Sequence, residues 1–137
     1  MATLYMDIKC PNLEKKIKEG CTLCITRNGP HSMLSRLETA NGNLLVSVSY
    51  YSLKKILSET EFQLTDKLGF HMPNFNSSEK YPLEKFILKG GIVTINSNGG
   101  VFKGNLFDGD QNILAIRESK TLANIFPNLE LEAYKRI

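Results

Sequence analysis

Much of what would announce a function is missing from this sequence. Its 137 residues hold no tryptophan, only two histidines, and three cysteines. An odd number of cysteines closes no disulfide framework and fits a reducing compartment. No apolar run reaches the roughly 18 residues that a membrane-spanning helix needs. The opening MATLYMDIKCPN has neither the basic nor the apolar region of a secretion signal, so the expected location is cytoplasmic. The glycosylation sequon Asn76-Ser77-Ser78 then has no meaning. An excess of one charge is missing too. Seventeen Lys and Arg against 14 Asp and Glu leave +3, short of the basic surplus that marks a nucleic-acid binder by itself.

Catalytic signatures are equally scarce. No G-x-S-x-G, Walker A, H-E-x-x-H or G-x-G-x-x-G occurs. Ser52-Leu53-Lys54-Lys55 matches S-x-x-K without the S-D-N and K-T-G elements that accompany it, and a helix-capping serine explains it. A Cys24/His31 nucleophile–base pair has nothing to support it over two unrelated residues. The expectation is a protein that is not an enzyme and carries no cofactor.

Metal sites fail on geometry. Cys21 and Cys24 form a CxxC, with Cys10 upstream and His31 downstream, but a strand points positions i and i+3 to opposite faces. Asp108-Gly109-Asp110-Gln111-Asn112 begins like a calcium loop, yet Ile113 stands where glycine is required and Ser119 where glutamate is. No metal is expected.

What is present is β-structure. An apolar fraction of 42% and a charged fraction of 23% are those of a globular chain of single-domain length. Residues 91–107, GIVTINSNGGVFKGNLF, read as a hairpin turning at Asn98-Gly99, since this dipeptide suits the positive φ of a type I′ turn. That turn pairs Asn96 with Val101, Ile95 with Phe102 and Val93 with Gly104. One face then carries Val93, Ile95, Phe102 and Leu106, the other Thr94, Asn96 and Lys103. A second hairpin, 33–50, turns at Asn41-Gly42 and pairs Met33 with Tyr50, Ser35 with Val48, Leu37 with Val46 and Glu38 with Leu45. Further strands are expected at 3–9, 21–27, 61–64, 113–116 and 129–137. Three short helices are expected at 12–19, 52–59 and 121–126, the first capped by Asn12 and the last stopped by Pro127. Residues 82–88 fit either a helical turn or the start of the next strand.

The fold class is therefore α+β, mainly antiparallel β, a sandwich or partly open barrel with about three short helices. One domain over 1–137 is expected, with a long loop at 65–82 marking where it would divide into two halves, 1–64 and 83–137. Both halves show hairpin, short helix and strand. The fragments Gly42-Asn43-Leu44-Leu45 and Gly104-Asn105-Leu106-Phe107 look alike but are too short to establish a repeat.

Two functional classes follow. The first is a non-catalytic protein-interaction or self-assembly module, because an unprotected edge strand offers its backbone to another chain. The strand expected at 129–137 supplies such an edge through Leu129, Leu131, Tyr134 and Ile137, and a homo-oligomer or protein partner is expected. The alternative is a platform for single-stranded nucleic acid or another polyanion, with Lys15, Lys16, Lys18, Lys54 and Lys55 neutralising phosphate.

Overall fold

A proline at the first helical position, two apolar residues four apart and a glycine past the end define the first helix, α1 (Pro11–Lys18). A computed structural model describes this element and the others within residues 9–65 and 81–136. The strand expected at 3–9 lies, up to Lys9, outside the described residues, as do Ile137 and the body of the loop expected at 65–82. Leu13 and Ile17 are fully buried. Gly20, at φ 113°, ends α1; its N–H donates to the Ile17 carbonyl at 3.0 Å, and that of Cys21 to Lys16 at 3.0 Å. Asn12, expected as the cap, lies inside the helix. Its N–H (2.6 Å) and that of Leu13 (3.2 Å) donate instead to the carboxylate of Glu61.

Three strands follow: β1 (Thr22–Arg27), β2 (Met33–Glu38) and β3 (Leu44–Tyr50). The β2–β3 register matches the expected pairing from Met33↔Tyr50 to Leu37↔Val46. A bulge beside the turn then sets Glu38 against Leu44 rather than Leu45. Helix α2 (Leu53–Gln63) starts at Ser52, whose Oγ accepts from the Lys55 N–H at 3.5 Å. It runs on through the strand expected at 61–64, because Leu53, Ile56, Leu57, Thr60 and Glu61 are all buried at helical spacing.

The second half repeats the order. Helix α3 (Pro82–Leu88) settles the ambiguity at 82–88 and is followed by β4 (Ile92–Asn98), β5 (Val101–Phe107), β6 (Ile113–Ser119) and α4 (Leu122–Tyr134). The β4–β5 turn centres on Gly99 and Gly100, both at positive φ (62° and 83°), so Asn98 faces Val101 and Val93 faces Leu106. The pairing is two residues from the one expected. A shift of two preserves the faces, so Val93, Ile95, Phe102 and Leu106 are still the buried set.

Up to Tyr134, the strand expected at 129–137 is instead the second half of α4. Leu129 and Leu131 read as alternation, but the buried positions are Leu122, Ile125, Phe126, Leu129, Glu132 and Ala133, a helical period. Pro127 lies within this helix without ending it, and Leu129 and Ala133 beyond it are fully buried. Their burial outweighs the backbone bond lost at the proline.

Among the described residues six strands form one open, fully antiparallel sheet in the order β3-β2-β1-β4-β5-β6, giving an α+β fold. One face, with Leu23, Ile25, Met33, Leu37, Val93, Ile95, Phe102 and Leu106, packs with the helices into a single core. The other face presents Thr22, Cys24, Arg36, Thr94, Asn96 and Lys103, half-buried or exposed. Among the described residues, strands β3 and β6 are its two edges.

The halves are copies of one unit. Leu13-Glu14-Lys15-x-Ile17-x-x-Gly20 recurs as Leu83-Glu84-Lys85-x-Ile87-x-x-Gly90, and Gly90 ends α3 at φ 107° as Gly20 ends α1. The β2–β3 turn, where Thr39 N–H meets Asn43 O at 2.9 Å and Gly42 N–H meets Thr39 O at 2.9 Å, recurs at Asp108, Asn112 and Gln111 with 3.0 Å for both bonds. Glu61 caps α1 from α2; Glu130 of α4 likewise accepts from the Leu83 N–H of α3 at 3.2 Å. Across the middle, Leu23 pairs with Ile95, Cys24 with Thr94 and Ile25 with Val93. Since Leu23 corresponds to Val93 and Ile25 to Ile95, exchanging the halves maps this ladder onto itself. A local two-fold passes between Cys24 and Thr94.

Candidate interaction edge

The two-fold makes β3 and β6 equivalent, and so exposes where they differ. Val46 and Val48 of β3 correspond to Ala115 and Arg117 of β6, because each pair sits at the same register against Leu37 and Ser35 or against Leu106 and Gly104. In β6 the carbonyls of Leu114 and Ile116 point away from β5. Arg136 Nη2 donates to the first at 2.8 Å and Arg117 Nη1 to the second at 2.7 Å. Both arginines are anchored on buried Glu132 of α4. Arg117 Nη2 makes a close contact with its Oε1, Arg136 Nη1 lies 3.6 Å from Oε2 and donates to the Glu132 carbonyl at 3.0 Å, and Lys135 Nζ lies 3.5 Å from Oε1. The β6 edge is latched to its helix, with two of its outward carbonyls taken.

At β3 no such latch stands among the described residues, and the position matching Arg136, Lys67, lies outside them. Where β6 and α4 carry Arg117 and Glu132, β3 and α2 carry Val48 and Gln63. Among the described residues no side chain bonds the outward backbone of Ser47 or Ser49; the side-chain hydrogen bonds of this strand join Asn28 Nδ2 to Ser49 Oγ at 2.8 Å and Tyr50 OH to Tyr51 OH at 3.3 Å. A shallow groove of about 270 Å³ runs between β3 and α2, lined by Ser47, Ser49, Tyr50, Lys55, Glu59 and Gln63, with Val48 at its floor. Lys55 Nζ lies 5.9 Å from the Tyr50 ring centre, and Tyr50 stacks on Tyr51 with ring centres 4.3 Å apart. Leu44 and Leu45 at the head of the strand are 50% and 43% exposed. The strand itself, LLVSVSY, has no charge, proline or glycine, the devices that usually protect an edge.

The residues singled out from sequence are distributed as follows. Lys54 and Lys55 stand in the first turn of α2, and Lys55 enters the β3 groove. Lys15, Lys16 and Lys18 lie on α1, which packs over β4 and touches α2 through Glu61, whereas α2 itself packs over β3. Lys16 is 3.9 Å from Glu19, and Lys18 Nζ is 5.5 Å from the Phe102 ring centre. Leu129 is buried against the sheet, while Leu131 and Tyr134 are exposed on the outer side of α4.

Among the described residues no three His, Cys, Asp or Glu side chains gather as a metal site. The Cys24 thiol sits on the open face, and burial pushes it up, as does nearby Glu38, with Arg36 opposing. That favours the unreactive protonated form. Among the described residues no hydrogen bond joins it to His31, which is exposed between β1 and β2. No described helix is long and apolar enough to cross a membrane.

Of the groove residues, Ser47 and Ser49 carry a signal in the sequence, a strand without charge or proline, whereas Glu59 and Gln63 carry none. What the sequence does not supply is that this strand lies at an edge. No family model, curated protein or solved structure matches the chain.

Proposed function

We propose that the protein is a non-catalytic interaction module that takes up an extended segment as an added strand along β3. The observation that carries this reading is the asymmetry between two equivalent edges. Arg117 and Arg136 hold two outward carbonyls of β6, whereas among the described residues no side chain holds those of β3, where Val48 and Gln63 stand beside a groove. Strand addition draws affinity from backbone hydrogen bonds and selectivity from pockets beside the edge, and β3 with α2 offers both. The three free cysteines support a reducing, cytoplasmic setting.

The test is a selection of extended peptides from a displayed random library against the full chain. Selected peptides should lose binding to Ser47→Pro, which removes one outward N–H, and keep it with Ile116→Lys on the opposite edge. Peptides that bind Ser47→Pro as well as the parent would contradict the reading. The polyanion alternative rests on Lys15, Lys16, Lys18, Lys54 and Lys55. It requires salt-dependent binding of single-stranded oligonucleotides, whereas strand addition requires none.

A further inference from the structure

We infer that the strand added at β3 is β3 of a second copy of this chain, an inference that rests on the strand-addition reading above. Antiparallel pairing about a two-fold at Ser47 sets Ser47 against Ser47 and Leu45 of each copy against Ser49 of the other. No like charges meet, because LLVSVSY carries none. The groove wall is self-complementary as well. Lys55, Glu59 and Gln63 lie on one face of α2, with Gln63 Nε2 3.4 Å from Glu59 Oε1. Two such helices running antiparallel across the axis bring Lys55 of each copy towards Glu59 of the other.

The chain already contains the same construction. β1 and β4 pair antiparallel about the internal two-fold, with α1 and α3 on one face of the sheet. Pairing β3 with β3 repeats that junction between molecules. The six-stranded sheets join into one of twelve strands with every helix on one side, and exposed Leu44 and Leu45 are covered. The latch on β6 sets the size of the assembly. A β3–β6 contact is head-to-tail and does not close at two, whereas β3–β3 is isologous and does. With the Leu114 and Ile116 carbonyls held by arginines, a contact through β6 forgoes two of its backbone bonds, which favours β3–β3.

Sedimentation equilibrium of the full chain at micromolar concentration tests this. The parent and Ile116→Lys should show twice the 15.4 kDa chain mass, and Ser47→Pro and Leu45→Lys the single mass. A proline or lysine at an outward edge position is compatible with the fold, and circular dichroism like the parent's checks it. A monomeric parent, or dimers that survive both β3 variants, would overturn the inference. A monomeric parent that still takes selected peptides along β3 removes only the second copy as occupant. One that takes none removes strand addition too.

Discussion

The two halves solve the same local problems with different side chains, and the differences are measurable one residue at a time. Gly42 and Gln111 hold the same turn position, at φ 84° and 67°. A left-handed conformation is free of steric cost for glycine and costs roughly 1 kcal/mol for a residue with a side chain. Gln111→Gly should therefore stabilise the protein by up to about 1 kcal/mol, read from urea denaturation, less the entropy glycine adds to the unfolded chain. No gain would mean that the Gln111 side chain makes its own compensation. Cys10 provides a pH signature. Burial, with Glu61 and Glu14 adding to it, pushes its thiol up to about 12 from an ordinary value of 9.0. Between those values the unfolded chain has released a proton that the folded chain keeps, so stability falls as pH rises, by at most ~1.4 kcal/mol per pH unit. Below pH 9 the thiol contributes nothing to the slope. The stability gap between the parent and Cys10→Ala should therefore narrow as pH rises above 9, and a constant gap would contradict the assignment.

At the scale of elements, the antiparallel strands were readable and their ends were not. Alternation told which side of each strand is buried, and even the two-residue difference at Gly99-Gly100 left Val93, Ile95, Phe102 and Leu106 on the core side. The same alternation misled at Leu129 and Leu131, where three apolar or small residues at every second position also fit a helix whose buried stripe starts earlier, at Leu122. A period is decided only by its full run. Edge protection belongs to this scale as well. Giving β6 the residues of β3 by Arg117→Val and Glu132→Gln, with Arg136→Ala added to free Leu114, should release both outward carbonyls and leave no buried charge unpaired. With both edges open, association should pass beyond the dimer, seen as concentration-dependent growth in light scattering. A variant that keeps the parent's mass would show that the arginines are not what closes β6.

For the whole molecule, the governing fact is the duplication. It can be read in the sequence as Leu13-Glu14-Lys15-x-Ile17-x-x-Gly20 against Leu83-Glu84-Lys85-x-Ile87-x-x-Gly90. The more conspicuous likeness, Gly42-Asn43-Leu44-Leu45 with Gly104-Asn105-Leu106-Phe107, is out of register, since Gly104 corresponds to Ser35. Which strands become edges was not legible at all. LLVSVSY is as apolar as a central strand, and only the order β3-β2-β1-β4-β5-β6 puts it at the border. Hydrogen exchange resolved to single amides tests that border most directly. In the full chain at micromolar concentration, the outward amides of Ser47 and Ser49 should be protected and should lose that protection on dilution, while those of Ile116 and Glu118 in β6 exchange at one rate throughout. Amides of Ser47 and Ser49 that exchange equally fast at every concentration, or a matching change in β6, would contradict the account.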